Sequence, residues 1–119
     1  MSGISPNRLP SALTLEVVPQ ADGSVIIKCG GKLFSSDTDE LHFEVKRWFP
    51  KTKRVVLDLT DLAQLDSSGL GAIAALYISA KSAGVRLEMI NLSKRVRDLF
   101  SITNLMTLFE PYGQHNIRM

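Results

Sequence analysis

Val55-Val56-Leu57-Asp58-Leu59, then Leu65-Asp66-Ser67-Ser68-Gly69-Leu70-Gly71, then the alanine-rich run from Ala72 to Ala83: this stretch decides the fold. The first run is nearly all apolar, as expected for a strand covered on both faces. The last reads as a helix. Two adjacent hydroxyls, an acidic neighbour and two glycines therefore fall where a strand gives way to a helix. Backbone N–H groups at a helix start are unpaired and carry partial positive charge, which suits a hydroxyl cap or an anion. A serine placed there is suited to switch between a capping hydroxyl and a phosphorylated, doubly charged group. That chemistry points toward signalling rather than metabolism.

Working outward, Leu13 to Val18 alternates and predicts a first strand, and Ala21-Asp22-Gly23-Ser24 supplies a turn into a second strand over Val25 to Cys29. Gly30-Gly31 is expected to end that strand. A first helix is predicted over Asp37 to Phe49, with Ser36 as N-cap and Asp39 at capping-box spacing. Leu41, Val45 and Trp48 share one of its faces, and Pro50 ends it. The second helix is predicted over roughly 68–82, with Gly84 closing it and Val85 to Ile90 forming a fourth strand. Ser93 then caps a third helix whose Val96, Leu99, Phe100 and Thr103 fall on one face. Leu105 to Phe109 reads as a short last strand or an extended segment. The order ββαβαβα predicts an α/β domain, a mixed sheet of four to five strands with helices packed on it. Residues 1–11 read as a flexible leader, 12–110 as the domain and 111–119 as a C-terminal tail.

The chain has 119 residues, enough for one domain with a modest core. A net charge of +2 with no basic run longer than two residues inside the domain gives no nucleic-acid footprint. No apolar run approaches the roughly 20 residues needed to span a bilayer, and residues 1–10 lack the apolar core of a signal peptide. The expected compartment is therefore reducing and cytoplasmic. A single Cys29 in an apolar strand excludes an internal disulfide and a cysteine-rich zinc site, and reads as a plain buried thiol. A serine hydrolase is not supported, because Asp66 stands where Gly-x-Ser-x-Gly needs its first glycine relative to Ser68. Only His42 and His115 are candidate bases, the first expected on the exposed side of its helix and the second in the tail. No carboxylate pair or metal cluster has usable spacing. The expectation is a protein without catalytic residues, cofactor or metal.

At about 100° per residue the second helix divides into two unlike faces. Leu70, Ile73, Ala74, Tyr77 and Ala80 are expected to pack on the sheet. Ser68, Ala72, Ala75, Ser79 and Ser82 form a narrow opposite stripe with no charge and no large side chain. Either a loop, the leader or the tail covers such a face, or a partner docks on it. Small side chains lose little entropy on immobilisation, which favours reversible binding. A phosphate on Ser67 would add roughly −1.5 to −2 charges beside Asp66 and this stripe, and burying that charge against an unprepared partner is costly.

Val55 to Leu62, Leu65 to Gly71, Val85 to Asn91 and Arg95-Val96-Arg97-Asp98-Leu99-Phe100 together resemble the STAS-domain proteins called anti-sigma factor antagonists. The resemblance spans roughly residues 13–110. It implies a mixed sheet with helices mainly on one side. It also implies that Ser67, first serine of Asp-Ser-Ser-Gly, is phosphorylated by an anti-sigma factor that is also a serine kinase. The unphosphorylated form would bind that kinase and free a sigma factor, and a serine phosphatase would reset the cycle. Asp66, Ser68, Gly69, Ala72, Ala75 and Ser79 would make the partner surface, with the glycines admitting a partner loop close to the backbone. Where family members often carry an acidic residue after Gly-x-Leu, this chain has Phe34. That side chain either adds apolar area to the partner surface or tucks into the local core, and Asp37 is a nearby source of the missing charge. No direct nucleic-acid contact or membrane insertion is implied, and the free form is expected to be a monomer. The alternative within the same resemblance is a STAS subunit of a transporter or larger signalling assembly, acting as a non-catalytic interaction module.

Overall fold

A computed structural model describes residues 12–102. The leader at 1–11, Thr103, the last strand expected at Leu105 to Phe109, the tail and His115 lie outside the described residues. Alternating side chains make β1 (Leu13–Pro19) and β2 (Val25–Leu33) an antiparallel hairpin, with Leu15 opposite Cys29 and Val17 opposite Ile27. Its turn is held by Asp22, whose Oδ1 accepts from the Ser24 N–H at 2.9 Å and the Ser24 hydroxyl at 2.6 Å. These bonds keep the Asp22 carboxyl below its ordinary value.

β2 does not stop at Gly30-Gly31 as expected; it runs to Leu33. Gly31 adopts a left-handed backbone (φ +82°), and a Cβ there would run into the Ala12 carbonyl oxygen. The glycine thus lets the strand bend around the start of β1, where Lys32 N–H donates to the Ala12 carbonyl at 3.0 Å. Along its whole length β2 pairs in parallel with β3 (Arg54–Leu65), which is more than twice the predicted strand. Val25 faces Val55, Ile27 faces Leu57 and, after two register shifts, Leu33 faces Leu65. Extra residues in β3 absorb those shifts, so both strands end together at the functional turn.

The first helix is shorter than expected. A 3-10 turn at Ser35–Asp37 leads into α1 (Thr38–Lys46), and a second such turn spans Phe49–Lys51. The Ser36–Asp39 capping box does not form; the Asp37 carboxylate accepts from the Phe34 N–H at 3.0 Å instead, two positions earlier. Leu41 and Val45 are buried as predicted, and Trp48 is half-buried against the core. Then come α2 (Ser67–Ser82), β4 (Arg86–Ile90), parallel to β3, and α3 (Lys94–Ile102). Ser93 caps α3, its Oγ accepting from the Val96 N–H at 3.2 Å.

The sheet order is β1-β2-β3-β4. Val25, Ile27 and Cys29 on β2, Val55, Leu57 and Leu59 on β3, and Leu87 and Met89 on β4 form one core with residues of all three helices, including Leu41, Ile73, Leu76, Val96 and Phe100. The helices therefore lie on one side of the sheet. Burial, helped by the Asp58 charge, pushes the Cys29 thiol up to about 12 and keeps it protonated. Among the described residues no helix packs on the opposite face. Val56 is flanked there by Ile26 and Glu88. Glu88, 1% exposed, accepts from Arg54 at 2.8 Å and from Arg86 at 3.4 Å.

Candidate functional site

β2 and β3 end side by side because the Asp66 N–H donates to the Leu33 carbonyl at 3.3 Å. Asp66 then leaves the strand in an extended conformation and caps α2, its Oδ1 accepting from the Gly69 N–H at 2.9 Å. The cap is thus the acid, not either serine. Ser67 and Ser68 occupy the first two helical positions, both exposed. Among the described residues no hydrogen bond engages either hydroxyl.

Gly69 is buried, contrary to the expectation that a partner approaches its backbone. The close approach is internal. A Cβ there would lie 2.6 Å from the Leu33 carbonyl oxygen and 3.2 Å from Leu65 Cβ, so only glycine lets α2 start directly on the ends of β2 and β3. Gly71, by contrast, is exposed with open space around it.

The smooth face of α2 is also turned from its expected direction. Ala72 is 6% exposed rather than outward-facing, because α1 covers that flank: His42 Nε2 lies 3.2 Å from the Ala72 carbonyl oxygen. His42 itself is half-buried and engaged, not free on the outer side of α1. The exposed face instead runs through Ser67, Ser68, Gly71, Ala75, Ile78 and Ser82, with Ala74 and Ser79 half-buried beside it. Its centre is rotated by about 50° from the predicted stripe, at about 100° per residue. It is not free of large side chains. Ile78 is 60% exposed, and Phe43 on neighbouring α1 is 69% exposed. The Ser68–Ser82 stripe passed over both, although Ile78 lies three residues after Ala75 and is large and apolar. Placing it on a helix projection signals it.

Of the predicted site residues, Asp66, Ser67, Ser68 and Ala75 are exposed around the helix start, Ser79 lies at the margin, and Gly69 and Ala72 are internal. Phe34 is half-buried and lines a groove with Gln64, Leu65, Arg95, Val96 and Leu99. It tucks partly into the local structure and still shows an apolar edge beside the turn. At the far side of the sheet end, Asp58 accepts from the Thr60 hydroxyl at 2.6 Å, the Thr60 N–H at 3.0 Å and the Asn91 amide at 3.1 Å. Partial burial raises its carboxyl, but those bonds and the Lys28 charge outweigh that and hold it below its ordinary value. This pins the β4–α3 connection to β3.

The STAS domain family model matches residues 16–116. A STAS-domain containing protein of Pseudomonas aeruginosa is 27% identical over 99 residues, covering 82% of this chain and 98% of its own. Among solved structures, an anti-sigma factor antagonist from Mycobacterium paratuberculosis superposes with a TM-score of 0.74 at 20% identity, over 86% of each chain. The anti-sigma factor antagonist SpoIIAA in its unphosphorylated form gives 0.68 at 18% identity, over 80% of this chain and 84% of that one. At such identities the structural likeness carries the fold, and it agrees with the four-stranded mixed sheet and three helices described above. The match along most of the sequence carries the family: this chain is a member of the STAS domain family.

Proposed function

We propose that the domain is a non-catalytic docking module of the anti-sigma factor antagonist type, acting in transcription regulation in the cytoplasm. Its partner is an anti-sigma factor with serine kinase activity, and phosphorylation of Ser67 releases that partner until a serine phosphatase restores the hydroxyl. The observation that carries the reading is the uncommitted, exposed Ser67 hydroxyl at the edge of a low-profile helix face. Ala75, with the half-buried Ser79, supplies area that costs little entropy to cover, while Ile78 and Phe43 supply the larger apolar contacts an interface centre needs. A dianion at Ser67 would be buried with that area, at a cost greater than the contacts recover.

The test is binding of wild type, Ser67→Ala and Ser67→Asp to a candidate kinase, with the phosphate mapped by mass spectrometry after incubation with ATP. Wild type and Ser67→Ala should bind, Ser67→Asp should bind at least tenfold more weakly, and phosphate should appear on Ser67. Undiminished binding of Ser67→Asp removes the charge-release mechanism and leaves a constitutive interaction module. Phosphate on Ser68 alone refutes the assignment.

A further inference from the structure

A groove of about 280 Å³ runs beside the turn, built by the ends of the parallel strands β2 and β3 and by α3. Phe34 follows β2, Gln64 and Leu65 end β3, and Arg95, Val96 and Leu99 come from α3 behind β4. Open sheets collect their ligands at this carboxyl edge. The floor is apolar and the rim polar, with Arg95 the cation on it. Val96 is fully buried and its N–H is tied to Ser93, so the first turn of α3 is fixed and presents Arg95 outward. Neighbouring Lys94 is committed to Asp98 at 2.9 Å, whereas Arg95 is exposed and has no ion pair among the described residues. The nearby carboxylates are turned elsewhere, Asp66 to the Gly69 N–H and Asp37 to the Phe34 N–H.

Leu65, in the groove wall, is two residues from Ser67, at most about 7.6 Å along the chain between Cα atoms. We propose that Arg95 is the phosphate-contacting residue of this domain, its guanidinium engaging a phosphate on Ser67 across the mouth of the groove. The proposal rests on Ser67 as the modified residue and adds where the phosphate goes. A phosphoserine offers three acceptor oxygens and close to two negative charges, and a guanidinium meets such a group with two parallel N–H donors. Held there, the phosphate also covers the apolar edge of Phe34 and Leu65. Modification would then change the groove as well as the α2 face.

The experiment uses the full chain with phosphoserine installed at position 67 during translation, so that it needs no kinase. The second ionisation of the phosphate is followed by phosphorus NMR in wild type, Arg95→Gln, Arg95→Lys and Arg97→Gln. In wild type the midpoint should lie about half a pH unit below that of phosphoserine in a short peptide, the size of an exposed ion-pair effect. Arg95→Gln should return it to the peptide value and Arg95→Lys only part of the way, while Arg97→Gln should leave it unmoved. Equal midpoints in wild type and Arg95→Gln overturn the proposal, as does an Arg97→Gln change as large as that of Arg95→Gln. A kinase that ignores Ser67 refutes the partner reading alone, because this titration is independent of it.

Discussion

Alanine at Gly69 and alanine at Gly71 are the same substitution two residues apart on one helix, and the structure separates them. Replacing a helical glycine by alanine ordinarily gains about 0.5–1 kcal/mol through the backbone. Both sites share that gain to first approximation, so the difference between the variants reports packing. At Gly71 the new methyl meets nothing within 4 Å. At Gly69 it lies 2.6 Å from the Leu33 carbonyl oxygen, an atom of the β2 backbone that cannot rotate away, and 3.0 Å from the Leu33 side chain. Overpacking of this kind costs about 1–3 kcal/mol. Gly71→Ala is therefore expected to stabilise the domain by up to about 1 kcal/mol, and to exceed Gly69→Ala by about 1–3 kcal/mol. Urea unfolding followed by circular dichroism should separate the two midpoints by roughly 1 M at an ordinary denaturant slope. Equal midpoints, or a more stable Gly69→Ala, would refute the claim that α2 starts on the strand ends because residue 69 has no side chain.

Two further expectations use the same assay. Asp66→Ala should cost about 1 kcal/mol through loss of the cap, whereas Ser67→Ala and Ser68→Ala should stay within about 0.5 kcal/mol of wild type; a serine variant as costly as Asp66→Ala would reassign the cap. The Asp58 carboxyl is held below its unfolded value, so its contribution is fully present above the ordinary carboxylate range and is lost as pH falls through the folded value. Below about pH 4 the wild-type stability curve should therefore fall more steeply than that of Asp58→Asn, and parallel curves in that window would sink the assignment.

The elements with strong periodic contrast were legible from their residues alone. The β1–β2 hairpin, the apolar start of β3 and the Val96–Leu99–Phe100 face of α3 all bury what their spacing says they should. Ser93 caps α3 for a purely local reason, which is why it was readable. What escaped is what distant contacts decide. Gly30-Gly31 looks like a strand end, yet pairing with β3 carries β2 through it, and one left-handed glycine absorbs the bend. The orientation of α2 was missed because alanine, serine and glycine give a helix little contrast between its faces. Its burial is set by α1, which no local pattern announces. The same contact explains His42, whose engagement with Ala72 depends on a helix 30 residues away in sequence. Whether a serine or its acidic neighbour caps a helix is likewise decided by where the preceding strand ends, here by the Asp66 bond to Leu33.

Because Asp66 supplies the cap, the fold has no stake in the Ser67 hydroxyl. On the proposed cycle, neither form of the protein surrenders a bond that folding uses. The modification is then read at the surface, and the ratio of the two forms can follow kinase and phosphatase activity alone.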